Sequence, residues 1–189
     1  MDDNVTDFMA YRARAARAIA IGLNGKSPFN ERDTQALAEH VRHVEVLYSQ
    51  FIDDIVRGDD YDPDTWEVAG RASANIIEIG RRWAECKCIA EGNFVAWFYR
   101  EFGWSESQAD VFIRAYKLSL EHEIVAELSA EAILMIARSD TPETARMEVI
   151  QRTEAGEMLS DSDASSIIGH AERRLGTKTP KRKRKSRRS

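Results

Sequence analysis

The chain has 189 residues, 43% of them hydrophobic and 31% charged, which is enough for a sizeable buried core in one domain or two small ones. No apolar run approaches the roughly 20 residues that cross a bilayer, and the opening MDDNVTDF is acidic with no apolar core behind it. Neither a transmembrane protein nor a secretory signal is expected, and a cytoplasmic location follows.

The net charge of −5 averages two opposite regions. Eight cations and no acid stand between Thr177 and Ser189, leaving 19 cations against 32 acids, about −13, before residue 177. The body is acidic and the tail is basic.

Taken in chain order, every strong periodicity is helical. Phe8, Tyr11, Ala15, Ala18 and Ile19 share one side of a predicted helix over Val5–Leu23, with Arg12, Arg14 and Arg17 on its other side. Asn30 caps a longer helix that runs to Arg57 and stops at Gly58. Within it Leu37, Val41, Val44, Tyr48, Phe51 and Ile55 recur in steps of four and three, the seam of a coiled coil or helical hairpin. Packing against the first helix, Val5–Leu23, or a homodimer contact would each explain this stripe.

The acidic DDYDPDT that follows is a linker broken by Pro63, without the glycine and glutamate of an EF-hand loop. Thr65 opens a helix through Glu91 with Ile76, Ile79, Gly80, Trp83, Lys87 and Ala90 on one stripe, and Gly92 ends it.

The next stretch, FVAWFYREFGWSESQADVFIRAYKLS from Phe94 to Ser119, reads as helix, short turn, helix. Phe94, Trp97, Phe98 and Phe102 line one face of the first helix, and Ala109, Phe112, Ile113 and Tyr116 give the second its buried face. Gly103 supplies a left-handed residue to end the first helix, and Ser105 caps the second. Two helices joined this way can place the outer face of the second in a DNA major groove.

The candidate DNA-contacting residues on that helix are Ser105, Ser107, Gln108, Arg114 and Lys117. Gln pairs bidentately with adenine, Ser meets bases or phosphates, and the cations meet the backbone. Glu106 and Asp110, on the same helix, would repel phosphate.

Three further helices are predicted: Ala130–Arg138 capped by Ser129, one begun by Thr141-Pro142 and ended at Gly156, and one capped by Ser160 that runs toward Leu175. Beyond them Lys181, Arg182, Lys183, Arg184, Lys185, Arg187 and Arg188 form a tail that cannot bury apolar surface and is expected to be disordered. Lysines and arginines docked on phosphates release counterions, so this tail is a second candidate contact with nucleic acid. The expected fold is therefore an all-α, multi-helix bundle containing a helix-turn-helix. It divides into a helical region over 1–64 that can hold a dimer, a helix-turn-helix domain over 65–176, and the tail 177–189.

Two segments carry a resemblance. IIEIGRRWAECKCIAEGNFVAWFYREFGWSESQADVFIRAYKL, Ile76 to Leu118, resembles a bacterial domain family of unassigned function common in phage and plasmid proteins. Leu128 to Ile168 is similar in layout to the helices that follow the helix-turn-helix of ParB-like partition proteins. Gly92, Trp97, Gly103, Ser105 and the Glu154–Glu157 turn carry the match in order. The resemblance implies a DNA-associated role in a mobile element, in transcriptional control or maintenance. The chain departs from ParB-like nucleotide clamps, which carry an N-terminal domain with a Gly-Glu-Arg-Arg signature: it has only Gly80-Arg81-Arg82, inside a helix, and no strand pattern in its N-terminal third, so no clamp role is expected.

Catalytic chemistry finds little in the sequence, and no cofactor, metal or enzymatic activity is expected. Cys86 and Cys88, two residues apart on a helix, diverge by roughly 200 degrees and are expected to be reduced thiols. His40 and His43 lie one turn apart beside Glu39 with no further ligand cluster, and there is no GxxxxGK or GxSxG motif. The alternative to DNA binding is a non-enzymatic helical module that binds a host protein through its acidic body.

Overall fold

The computed structural model describes residues 28–58 and 65–176. The expected helix over Val5–Leu23, the acidic linker up to residue 64 and the basic tail Thr177–Ser189 lie outside those residues. Among the described residues every regular element is helical, as the periodicities predict. None of these helices is long and apolar enough to cross a membrane.

Helix α1, Glu31–Gly58, begins where its cap predicts. Asn30 Oδ1 accepts the Asp33 N–H at 2.8 Å, and Glu31 and Asp33 place negative charge at the positive end of the helix. Its Leu37, Val44 and Phe51 are buried, with Val41 and Tyr48 packed against the same core. That stripe faces α2, Thr65–Ala90, of the same chain. Burial against α2 therefore occupies Leu37, Val41, Val44, Tyr48 and Phe51 within the chain, and nothing in the packing supports the possible second subunit on this stripe. The side chain of Ile55, the sixth residue of the stripe, lies outside the described set.

Helix α2 is the centre of the bundle. Ala72, Ile76, Ile79, Trp83, Cys86 and Ala90 are buried along it in alternating steps of four and three, so α1 covers one side and α4, Glu106–Glu121, the other. Gly80 explains how closely α4 approaches. A Cβ built on it would stand 2.0 Å from the carbonyl oxygen of Phe112, so only hydrogen at this position lets the two backbones cross. The short helix α3, Phe94–Phe102, closes the end of this pair with Phe94, Trp97, Phe98 and Phe102 buried.

The remaining helices form a layer beside α4. Helix α5, Ala130–Ala137, starts at Ser129, whose hydroxyl accepts the Ala132 N–H at 3.1 Å. Ser73, buried on α2, donates its hydroxyl to the Leu128 carbonyl at 2.7 Å and ties the start of this layer to the central helix. Helix α6 is Glu143–Glu154, and α7 is Asp161–Arg174. Ser160 and Asp163 exchange cap bonds at the start of α7, Asp163 N–H to Ser160 Oγ at 3.2 Å and Ser160 N–H to Asp163 Oδ2 at 3.0 Å.

Gly80→Ala is expected to destabilise the chain by about 2–3 kcal/mol despite the better helix propensity of alanine, because the methyl group forces α2 and α4 apart; urea unfolding followed by circular dichroism measures it. Val44→Asp is expected to cost about 3 kcal/mol or more by placing a carboxylate in the α1–α2 interface. A wild-type melting midpoint that rises with protein concentration would instead return the stripe to a subunit contact.

Candidate nucleic-acid interface

The turn between α3 and α4 is built as its residues require. Gly103 adopts φ 70°, and its N–H donates to the Tyr99 carbonyl at 2.8 Å. Ser105, extended at φ −77° and ψ 156°, then begins α4. Tyr99 sits four residues before the glycine but is 61% exposed, so its bulk is not between the helices.

What holds α4 is not mainly α3. The Trp83 indole of α2 lies at the junction with ring centroids 5.1 Å from Phe98, 5.7 Å from Phe102, 5.4 Å from Trp104 and 4.9 Å from Phe112, all tilted edge to face. This geometry suits the aromatic quadrupoles. One side chain of α2 thus grips α3, the turn and α4 together, and α3 meets α4 only slightly. The expected buried face of α4 is present at Ala109, Phe112 and Ile113, while Ala115 is buried and Tyr116 only half-buried.

Ser105, Ser107, Gln108 and Lys117 are exposed, as a contact surface requires. They do not form one face. Lys117 follows Gln108 by nine residues, two and a half turns, so the two lie on opposite flanks of α4.

Gln108 is also partly engaged. Its Oε1 accepts the Ser105 N–H at 2.8 Å and the Ser105 hydroxyl at 3.1 Å, while Ser105 Oγ and Ser107 Oγ are 2.8 Å apart. The amide oxygen that would complete a bidentate pair with adenine is therefore used to cap the helix, which leaves the Nε2 donor.

Arg114 needs a correction. It is half-buried, and its Nε donates to the Ala137 carbonyl at 2.6 Å. Ala137 ends α5, where carbonyls lack helical partners. Arg146 serves the same end, with Nε on the Ile136 carbonyl at 2.8 Å and Nη2 on the Arg138 carbonyl at 3.2 Å. Arg114 is thus a staple between α4 and α5 before it is a phosphate ligand.

The residue that sequence reasoning missed is Lys87. Its Nζ lies 2.9 Å from Glu106 Oε1 and 3.1 Å from Asp110 Oδ1, and 5.4 Å from the centre of the Phe94 ring. Burial disfavours its charge, but the hydrogen bonds and charges of the two carboxylates outweigh that and raise its pKa. A lysine on an otherwise apolar stripe is itself a signal, because a cation placed there needs an anionic partner. The tail cations Lys181, Arg182, Lys183, Arg184, Lys185, Arg187 and Arg188 lie outside the described residues.

The histidines and thiols are engaged separately. His40 is largely buried with Nδ1 3.5 Å from Glu85, and burial holds its pKa below the ordinary value against the opposing pull of that carboxylate. The Nδ1 of His43 lies 2.9 Å from the Glu39 carbonyl. Among the described residues no group of three or more His, Cys, Asp or Glu is placed to hold a metal ion.

No protein-family model, curated protein or solved structure matches the chain.

The two thiols differ enough to be told apart chemically. Cys86 is buried, with its pKa pushed up to about 12 mainly by that burial, whereas Cys88 is exposed. Iodoacetamide at pH 8 is expected to modify one cysteine in the native protein and both in guanidinium chloride, read by intact mass; two modified residues in the native state would contradict the packing of α2.

Proposed function

We propose that the protein is a DNA-binding protein of a phage, prophage or plasmid, with a ParB-like helix-turn-helix, acting in transcriptional control or maintenance of the element. The first turn of α4 supplies selectivity in the major groove, and the basic tail supplies affinity for phosphate. The role is non-enzymatic, with no cofactor, and places the protein on the bacterial nucleoid when bound.

The observation that carries this reading is the sorting of charge and exposure on α4. Its first turn, Ser105, Ser107 and Gln108, is open to solvent at the end of a helix fixed on α2, while Glu106 and Asp110 are paired with Lys87 on another flank. Helices of this kind contact base edges with their N-terminal residues. With Gln108 Oε1 in the cap, the turn offers donors, and donors select the acceptors of the major groove: purine N7, guanine O6 and thymine O4. Binding as a two-fold dimer on paired half-sites would need a surface other than the Leu37–Phe51 stripe.

Gel shifts against DNA from the element's own neighbourhood test the division of labour. Deleting residues 177–189 is expected to weaken binding to all sequences by about two orders of magnitude at 100 mM salt and to flatten the salt dependence, because up to eight phosphate contacts are lost. Gln108→Glu keeps an acceptor for the cap and removes the donor, so stability holds; its added charge weakens binding to every duplex, and discrimination between target and random duplex falls by a further factor of about three to ten. Gln108→Ala loses both, with about 1 kcal/mol of stability. Absence of any retained DNA at low salt by the full chain would sink the proposal and favour a helical module that binds a host protein.

A further inference from the structure

We infer that Lys87 sets the affinity of the proposed DNA-contacting turn by restraining two carboxylates that otherwise repel phosphate; this rests on the DNA-binding reading. Glu106 occupies the first position of α4, and Asp110 follows one turn later, so both stand beside the end of the helix that would enter the groove. Carboxylates there favour the helix dipole but oppose a polyanion. The Lys87 ammonium, 2.9 Å from one and 3.1 Å from the other, draws both toward α2 and cancels half their charge. Lys117 lies on the same flank, seven residues after Asp110, so that flank of α4 sums to neutrality with Lys87 and to a net negative charge without it.

The role belongs to recognition more than to folding. Lys87, Glu106 and Asp110 have side chains 41%, 40% and 32% exposed, and ion pairs so open to water contribute little to stability. Their effect on a nearby phosphate persists, since the screening length is about 10 Å at 0.1 M salt. Lys87 is therefore a positioning residue: it acts on DNA through the two acids.

A double-mutant cycle on the full chain separates this role from a direct contact. The probe is a fluorescein-labelled duplex of about 30 base pairs, enriched from a randomised pool by the wild-type protein and read by anisotropy. Lys87→Met keeps an unbranched side chain of similar length without the charge and is expected to raise Kd about tenfold at 100 mM salt, shrinking to about twofold at 400 mM as the carboxylates are screened. In a Glu106→Gln/Asp110→Asn background, the same substitution is expected to change Kd by less than about twofold. Lys87→Arg keeps wild-type affinity, and circular dichroism confirms that each variant folds.

Equal weakening by Lys87→Met in both backgrounds would make Lys87 a direct phosphate ligand and overturn the inference. An unchanged Kd for Lys87→Met would overturn it as well, and either result leaves the DNA reading standing. Enrichment of no duplex by the wild-type chain overturns both.

Discussion

The crossing of α2 and α4 is the constraint on which the rest of the fold depends. Gly80 removes the one side chain that would keep these helices apart, and a turn later Trp83 fills the space that the crossing opens. The Trp83 indole is fully buried and touches four aromatic rings from α3, the turn and α4. Its Nε1–H finds no acceptor among the described residues, so the ring is retained for its shape and edge-to-face packing at the expense of an unmet donor. Because the same ring contacts both sides of Gly103, the angle between α3 and α4 is set by a third helix rather than by their own contact.

Among the described residues several cations are engaged within the fold. Arg114 and Arg146 satisfy carbonyls at the end of α5, Arg81 and Arg82 pair with Glu78, and Lys87 pairs with the acids of α4. A cationic side chain counted in the sequence is thus a poor guide to the surface field. Two arginines on the carbonyl end of α5 supply the donors that the eight-residue helix cannot supply itself, and one of them, Arg114, also fixes α4 against α5. On α4 the exposed polar groups include Lys117 and the first turn, where the serines and Gln108 face solvent.

Local physics explains which parts were legible in the sequence. Helix starts at Asn30, Ser105, Ser129 and Ser160 and the left-handed stop at Gly103 follow from cap chemistry within four residues, and the structure has all of them. The buried positions of α3 followed from periodicity alone. The partner of a buried stripe did not: Leu37 to Phe51 has the same spacing whether it meets α2 or a second subunit, and spacing carries no address. The staple made by Arg114 is hidden for a related reason, because its acceptor, the Ala137 carbonyl, lies 23 residues away in sequence and exists only once α5 ends there. Gln108 fell between the two cases. A glutamine three residues after a serine cap is a local signal for a reciprocal cap bond, and giving it a base instead overlooked the nearer partner.

The same internal spending of charge bears on how the proposed DNA complex would work. A body of about −13 ahead of residue 177 repels a polyanion, so a tail carrying all the attraction would hold any duplex at a distance unless the surface presented to the groove were locally free of unpaired acid. In the proposed complex the Lys87 ammonium would go part of the way to that condition, offsetting half the charge of Glu106 and Asp110 at the start of α4. In such a complex, repulsion from the acidic body would disfavour docking geometries other than one that brings the first turn of α4 to the groove, so net charge would help to orient the duplex. Specificity in such a complex would grow from the contrast between the partly neutralised start of α4 and its acidic surroundings, and raising the overall positive charge of the body would tighten binding while eroding selectivity.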